Sequence, residues 1–381
     1  MTIDHLRSLR HQLHRLAEPS GDEQRTARAV ADELERLSCG NVTKGVGGHG
    51  VLAEIASPKD GPTVLLRADL DALPLDDDPA LSYASERGGV AHRCGHDGHM
   101  TMALGVARAF ATEPPARGRV VFGFQPAEET GAGARALIED ERFRPFTPDV
   151  VLATHNLPGY ELGHVVLRDG IFASASRGLC VRLVGRSSHA SEPAAGKSPV
   201  QAAASLAQAL AAMPQDATAL EEGAQLTIVG LLVGGARYGT SPGVARVMAT
   251  LRSHHESTMD RLAERAVALA RGLAAAHGLE VEIGWTDEFP ATPTDSRVVD
   301  RLERVALGLG RTVERPADPF PWSEDFGHFS SRWPGALFGL GSGVDQPRLH
   351  TEGFDFPDAL LEPGAEYLTA CVRSLLEADL P

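Results

Sequence analysis

What most constrains the fold of this chain is an alternation. Short β-branched runs, "VLAEIA" (51–56), "TVLLRADL" (63–70), "RVVFGFQ" (119–125) and "DVVLATH" (149–155), are separated by segments of helical period such as "GHMTMALGVARAFA" and "GAGARALIED". Alternation of this kind implies an α/β sheet with helices on its faces. Two further helices precede it, "HLRSLRHQLHRL" and "GDEQRTARAVADELERL", the second opened by acidic residues.

Between residues 176 and 286 the rhythm changes. A strand "LCVRLVG" (179–185) is followed by a helix "SPVQAAASLAQALAAM", with Ser198 as its N-cap and Pro199 at its first position. Strands "QLTIVGLLV" and "ARVMATLRS" come next, then a helix ending at Gly278 and a strand "LEVEIGW". The order βαββαβ is the ferredoxin-like pattern. "DEFPATPTD" reads as a linker, after which the α/β rhythm resumes. The expected organisation is a catalytic α/β domain in two parts, 1–175 and 288–381, interrupted by a smaller inserted lid over 176–287.

Composition narrows the function. A net charge of −15 repels phosphate backbones and anionic lipid, and no dense Lys/Arg cluster offsets it, so neither nucleic acid nor a membrane surface is the expected partner. The first turns are charged and no run of about 18 apolar residues occurs, which points to the cytoplasm. Four scattered cysteines lack any CxxC pair and resemble neither a disulfide framework nor a zinc ribbon. Cys39, Cys180 and Cys371 read as small buried hydrophobes.

Cys94 is different, because "RCGHDGHM" (93–100) places it beside His96, Asp97 and His99. Alone, that loop reads equally as a polar turn with Asp97 capping the next helix. Other strands also end in polar residues: "TVLLRADLDALP" in Asp69 and Asp71, "RVVFGFQPAEE" in Glu128 and Glu129, and "DVVLATHN" in His155. In open α/β sheets the carboxyl ends of the strands line the ligand crevice. Cys94, His96, Glu129 and His155 then offer thiolate, imidazole and carboxylate, a mixture suited to Zn²⁺ and unsuited to Mg²⁺ or Ca²⁺. With His350 of "PRLHTEGFDF" as a fifth donor, two ions bridged by one group such as Cys94 are the expected picture. Of the adjacent carboxylates in "AEE", one can hold metal while the other acts as a general base.

In order along the chain, "RADLDALP", "HRCGHDGHMTMALG", "FQPAEE", "THNLPG", "GRSSHAS", "SEDFGHF" and "LHTEGFDF" resemble the amidohydrolase branch of the M20 metallopeptidases, which includes hippurate hydrolases and indole-acetyl-amino-acid hydrolases. The resemblance covers nearly the whole chain. It implies two divalent metal ions per subunit (Zn²⁺, with Mn²⁺, Co²⁺ or Ni²⁺ as alternatives), a lid that forms a homodimer, and hydrolysis of the amide of a small N-acyl amino acid. It assigns metal binding to Cys94, His96, Glu129, His155 and His350, and the general base to Glu128. Asp71 corresponds to the residue that orients a ligand imidazole, while Asp69 stands where related peptidases carry a metal-binding histidine.

In the lid, the resemblance gives His189 of "SSHAS" contact with the substrate oxyanion, commonly across a dimer interface, and gives Arg252 of "ATLRS" the substrate carboxylate. One departure stands out: relatives carry an asparagine where "ARYGTSP" (236–242) has Gly239. The rival readings are a dipeptidase with the same metals and a metal-binding module without catalysis, the latter having no use for Glu128.

Overall fold

The computed structural model describes residues 3–219 and 222–378. The chain divides into two compact units: the larger takes the chain up to Phe172, Thr292–Pro319 and everything from Asp325 on, and the smaller takes Ala173–Ala291 with Phe320–Glu324.

In the larger unit, helix α1 (Ile3–Leu16) precedes α2 (Gln24–Arg36), then come β1 (Gly40–Val46), β2 (Gly50–Ala56), β3 (Thr63–Asp69), α3 (His96–Thr112), β4 (Arg119–Gln125) and β5 (Val150–Pro158). These five strands belong to an eight-stranded sheet of order β1, β2, β4, β3, β5, Gly335–Gly343, Val165–Val166, Val313–Glu314. β3 pairs in parallel with both β4 and β5, and β5 pairs in parallel with Gly335–Gly343. Every residue of β3 is buried, as expected of a central parallel strand covered on both faces. β1, from the polar "GNVTKGV", has no run of apolar residues to announce it and is held as an antiparallel edge on β2.

The buried residues of α1 are Leu6, Arg10, Leu13 and His14. That is a helical stripe of i, i+4, i+7, i+8, but half of it is charged or polar. α2 buries Thr26, Ala27, Val30, Ala31 and Leu34. Its first turn is capped from a distance: the Glu18 carboxylate accepts from the backbone N–H of Arg25 and Thr26, both at 2.9 Å, and from the Thr26 hydroxyl at 3.0 Å.

The smaller unit is a four-stranded antiparallel sheet of order Gln225–Val233, Val244–Ser253, Ala175–Val184, Glu280–Phe289, the ferredoxin-like arrangement. Helices Val200–Ala217 and Glu256–Ala276 pack on it through residues such as Leu206, Leu210, Met259 and Leu262. Burial alternates along Ala175–Val184, so helices cover one face only.

Three local expectations change. The helix after Ser198 starts a residue later, with Pro199 at the N-cap position and no side-chain cap, and the Ser198 hydroxyl makes no hydrogen bond. "DEFPATPTD" is not a linker: the strand Glu280–Phe289 runs on through "DEF" across an irregularity at Asp287 (φ 48°), where the strict alternation of burial is lost, and Thr292–Thr294 pairs with Gly170–Ala173, a two-strand ladder that tolerates Pro293. Cys180 lies on the uncovered side of its strand and is half-buried, whereas Cys39, Cys94 and Cys371 are buried; all four are free thiols.

Candidate metal centre

The sheet order fixes where chemistry can occur. From β3 the chain crosses to β4 on one side, and β5 lies on the other, so the carboxyl end of β3 is a topological switch point where the crevice opens. Asp69 ends β3, Glu128 and Glu129 follow β4, and His155 and Asn156 lie near the end of β5. Cys94 stands in the loop before α3, His96 begins that helix and His99 follows one turn later. His350 comes from the segment after Gly335–Gly343.

These side chains converge. Donor atoms of Cys94, His96 and His155 lie within 4.8 Å of one another, as do those of Cys94, Glu129 and His350, and those of His96, Glu128 and Glu129. Cys94 belongs to two of these triads and is the only sulfur donor among them. Its Sγ is 3.4 Å from His155 Nε2. His350 Nε2 is 3.5 Å from Glu129 Oε2, and its own backbone N–H, at φ 60°, donates to the Arg93 carbonyl at 2.9 Å.

The ring nitrogens are prearranged. His96 Nδ1 is 2.8 Å from the Asp71 backbone carbonyl, and His155 Nδ1 is 2.9 Å from the Asn156 carbonyl. A carbonyl can only accept, so each Nδ1 carries a proton, and Nε2 is the nitrogen left to offer its lone pair once a cation displaces any proton there. His96 Nε2 points to a cage of carboxylate oxygens, Asp69 Oδ2 and Glu129 Oε1 at 3.7 Å and Glu128 Oε2 at 4.0 Å. The Asp71 contact with His96 runs through the backbone carbonyl; the nearer carboxylate oxygen is 3.5 Å away. That carboxylate instead accepts from the Ser20 hydroxyl at 2.6 Å and the Glu129 N–H at 3.0 Å.

Electrostatics argue for a cation. Burial pushes the Cys94 thiol well above its ordinary value, and Glu129 and Glu128 add to the shift. Burial raises Glu129 to about 7, opposed by His96 and reinforced by Asp71. His96 is held up at about 10, because Asp69, Asp71 and Glu129 together outweigh burial. Protons are thus retained on groups that crowd negative charge, and a divalent cation would relieve that crowding. His96 Nε2 and Glu129 Oε1 are buried with no hydrogen-bond partner, as atoms reserved for a ligand would be. The donor set of sulfur, imidazole and carboxylate fits a borderline transition ion.

Sequence reasoning gave no role to several neighbours. His99 has both nitrogens engaged, Nδ1 with Asp69 Oδ1 at 2.8 Å and Nε2 with Asn156 Oδ1 at 2.7 Å. Arg67 is buried and donates to Asp69 Oδ2 at 2.7 Å, Gln125 Oε1 at 2.8 Å and Asp325 Oδ1 at 2.9 Å. The Asp325 carboxylate also accepts from Gln125 Nε2 and the Ala134 N–H, and its backbone N–H reaches Glu128 Oε1 at 3.4 Å. "SEDF" was the only signal for Asp325, and nothing in the string links it to Arg67 258 positions earlier.

His189 and Arg252 belong to the smaller unit. His189 is exposed, pairs with Thr240 in a two-residue ladder and has Nδ1 2.6 Å from the Ser191 hydroxyl. Gly239 accepts from the Ala190 N–H at 3.0 Å, and a Cβ placed on it would meet open space. Arg252 donates to the Pro321 carbonyl and the Ser323 hydroxyl, both at 3.0 Å.

Comparison with known proteins agrees with this geometry. The family described as Peptidase family M20/M25/M40 matches residues 65–374. The hippurate hydrolase of Campylobacter jejuni is 32% identical over 94% of this chain and 93% of its own length. The N-acetyldiaminopimelate deacetylase of Halalkalibacterium halodurans is 29% identical over 97% of this chain and 96% of its own length. A solved structure from Bacillus subtilis, described as a dinuclear metal binding peptidase from M20 family, superposes with a TM-score of 0.83 at 25% identity, covering 99% of this chain and 98% of that one. The chain therefore belongs to peptidase family M20/M25/M40.

Proposed function

We propose that this protein is a metal-dependent amidohydrolase that cleaves the amide of small N-acyl amino acids into a carboxylate and a free amino acid. The observation that carries the reading is how two consecutive carboxylates divide: each turns one oxygen towards His96 Nε2, Glu129 at 3.7 Å and Glu128 at 4.0 Å, while the other oxygen of Glu129 lies 3.5 Å from His350 Nε2 and that of Glu128 accepts from the Asp325 N–H at 3.4 Å. The names of the hippurate hydrolase and the deacetylase relatives support the substrate class.

Cys94, His96, Glu129, His155 and His350 hold two divalent ions in this reading, with Zn²⁺ first by donor chemistry and Mn²⁺, Co²⁺ or Ni²⁺ as competitors. Bound there, the ions supply Lewis acidity for the scissile carbonyl and for the attacking water. Glu128 takes the proton from that water and returns it to the leaving amine. Its burial keeps bulk water from competing for that proton. The Asp71 carbonyl and the Asn156 carbonyl hold the two imidazoles in the ligating tautomer. For His189 we propose donation to the developing oxyanion, and for Arg252 a fork for the substrate carboxylate.

A homodimer through the smaller unit is part of the same proposal, supported by Val229, Leu231 and Leu232 exposed along the edge strand Gln225–Val233. No helix among the described residues is long and apolar enough to cross a membrane, and a reducing cytoplasm would keep the Cys94 thiol free to ligate.

The test is hydrolysis of acetyl-, benzoyl- and indole-acetyl-amino acids, with a dipeptide beside them, by chelator-stripped protein reloaded with Zn²⁺, Mn²⁺ or Co²⁺. The expected result is metal-dependent amine release that Glu128→Gln lowers by about 10³-fold or more while still binding metal. Full activity of Glu128→Gln would refute the assigned base, and turnover of the dipeptide alone would move the substrate to a free-amine peptide.

A further inference from the structure

The two carboxylates that do the proposed chemistry stand on a strained turn. Ala127, immediately before Glu128, has φ 50° and ψ 42°. A left-handed conformation in a residue with a Cβ is disfavoured and persists only where its surroundings enforce it. Part of the enforcement is local: Gly133 folds back so closely that a Cβ there would lie 1.6 Å from the Pro126 carbonyl oxygen, and its N–H donates to the Ala127 carbonyl at 3.1 Å.

The rest comes from more than a hundred positions away. The Ala127 N–H donates to Glu23 Oε1 at 2.8 Å, and the same oxygen accepts from the Gly21 N–H at 2.7 Å. Glu23 occupies the N-cap position of α2, where sequence reading expects an acidic residue to serve the helix, but its side chain caps nothing there. Glu18 performs that task instead. Glu23 is wholly buried and its Oε2 makes no hydrogen bond, an arrangement that a helix opener at the surface does not need. Two residues earlier in the chain than Asp22, Ser20 donates to the Asp71 oxygen that also receives the Glu129 N–H. Residues 20–23 thus grip the turn before and after Glu128.

We infer that Glu23 is a positioning residue for the Glu128–Glu129 pair, clamping Ala127 in the left-handed conformation that aims both carboxylates at the His96 cluster. The inference rests on the proposed roles of Glu128 as base and Glu129 as ligand. It requires only an acceptor oxygen at Glu23, not a charge.

The experiment compares full-length Glu23→Gln, Glu23→Ala, Ala127→Val and Glu23→Ala/Ala127→Gly. Two properties are read: Co²⁺ affinity of the stripped protein, with its visible absorption spectrum, and kcat and KM on whichever N-acyl amino acid the wild type hydrolyses. Glu23→Gln keeps the acceptor and is expected within about threefold of wild type in both. Glu23→Ala is expected to lose about 10- to 100-fold in Co²⁺ affinity and in kcat, with KM little changed. Ala127→Val, which leaves Glu23 in place but penalises the left-handed conformation further, is expected to show the same loss. The double variant is expected to recover most of it, because glycine adopts that conformation without strain.

Co²⁺ affinity and kcat within about twofold of wild type in either Glu23→Ala or Ala127→Val would overturn the inference. So would a double variant no better than Glu23→Ala, since Glu23 would then act by packing α2. If the wild type hydrolyses none of the substrates, the proposed function fails, while the Co²⁺ pattern still decides the role of Glu23.

Discussion

Replacing Arg10 by Met should destabilise the larger unit by about 3 kcal/mol or more, the low end of what breaking a buried ion pair costs. Arg10 is wholly buried on α1; its Nε donates to Asp97 Oδ2 at 2.8 Å, its Nη1 to Asp358 Oδ1 at 3.0 Å and its Nη2 to Asp355. Methionine keeps the apolar stem and removes only the charged fork, so the loss reads electrostatics and not a cavity. The exposed flank of Asp355 and Asp358 lets water take over part of their share, whereas Asp97 has no such recourse, being fully buried. Its remaining partners are His14 Nδ1 at 2.8 Å and the Gly98 backbone N–H at 2.9 Å, which is why the low end applies. In a unit of this size the expected fall in Tm is about 6–12 °C. Urea unfolding followed by circular dichroism measures it. Arg10→Met/Asp97→Asn should recover at least half of the loss, because the stranded charge is gone. A loss below about 1 kcal/mol, or a double variant worse than the single, would show that Asp97 is not held by Arg10 in the way the geometry states.

Stability should also depend on pH through His14, whose burial is outweighed by Asp77 and Asp97 so that its pKa stands at about 9. A folded-state pKa above the unfolded value near 6.5 contributes stability that is complete below pH 6.5 and disappears as pH rises through 9, up to about 3 kcal/mol. Urea midpoints between pH 6 and 10 should fall in wild type more steeply than in His14→Gln, and parallel curves would refute the assignment. Gly98→Ala should cost about 1–3 kcal/mol and weaken metal binding together, since a Cβ there would lie 2.3 Å from the buried Phe356 ring and must displace the first turn of α3 that carries His96 and His99. A variant with wild-type melting and metal affinity would refute that coupling.

Most of the architecture was legible because it rests on period. The apolar runs that open β3 and β5 and the alternating strands of the smaller unit state their burial locally. β1 was missed because an edge strand needs little apolar content, and the "linker" was misread because its prolines mark a boundary without excluding short pairing. The candidate donors stand out for a different reason: cysteine, histidine and paired carboxylates at strand ends are conspicuous wherever they fall, and the sheet delivers those ends to one rim.

What the string alone determined is therefore the alternation that builds the sheet, the chemistry of the donors and the strand ends that carry them. Tertiary structure alone decided what each buried polar group does. Arg10 and His14 look like the polar residues of an amphipathic helix, and they lie in its buried stripe because Asp97 is there to meet them. Glu23 looks like a helix opener and holds Ala127 instead. Asp71 reaches His96 through its carbonyl and not its carboxylate. The physical reason is common to all three: a pattern of residues reports how apolar each face is, but a buried ionisable group is tolerated only by specific partners, and partners far apart in the chain meet only once it has folded.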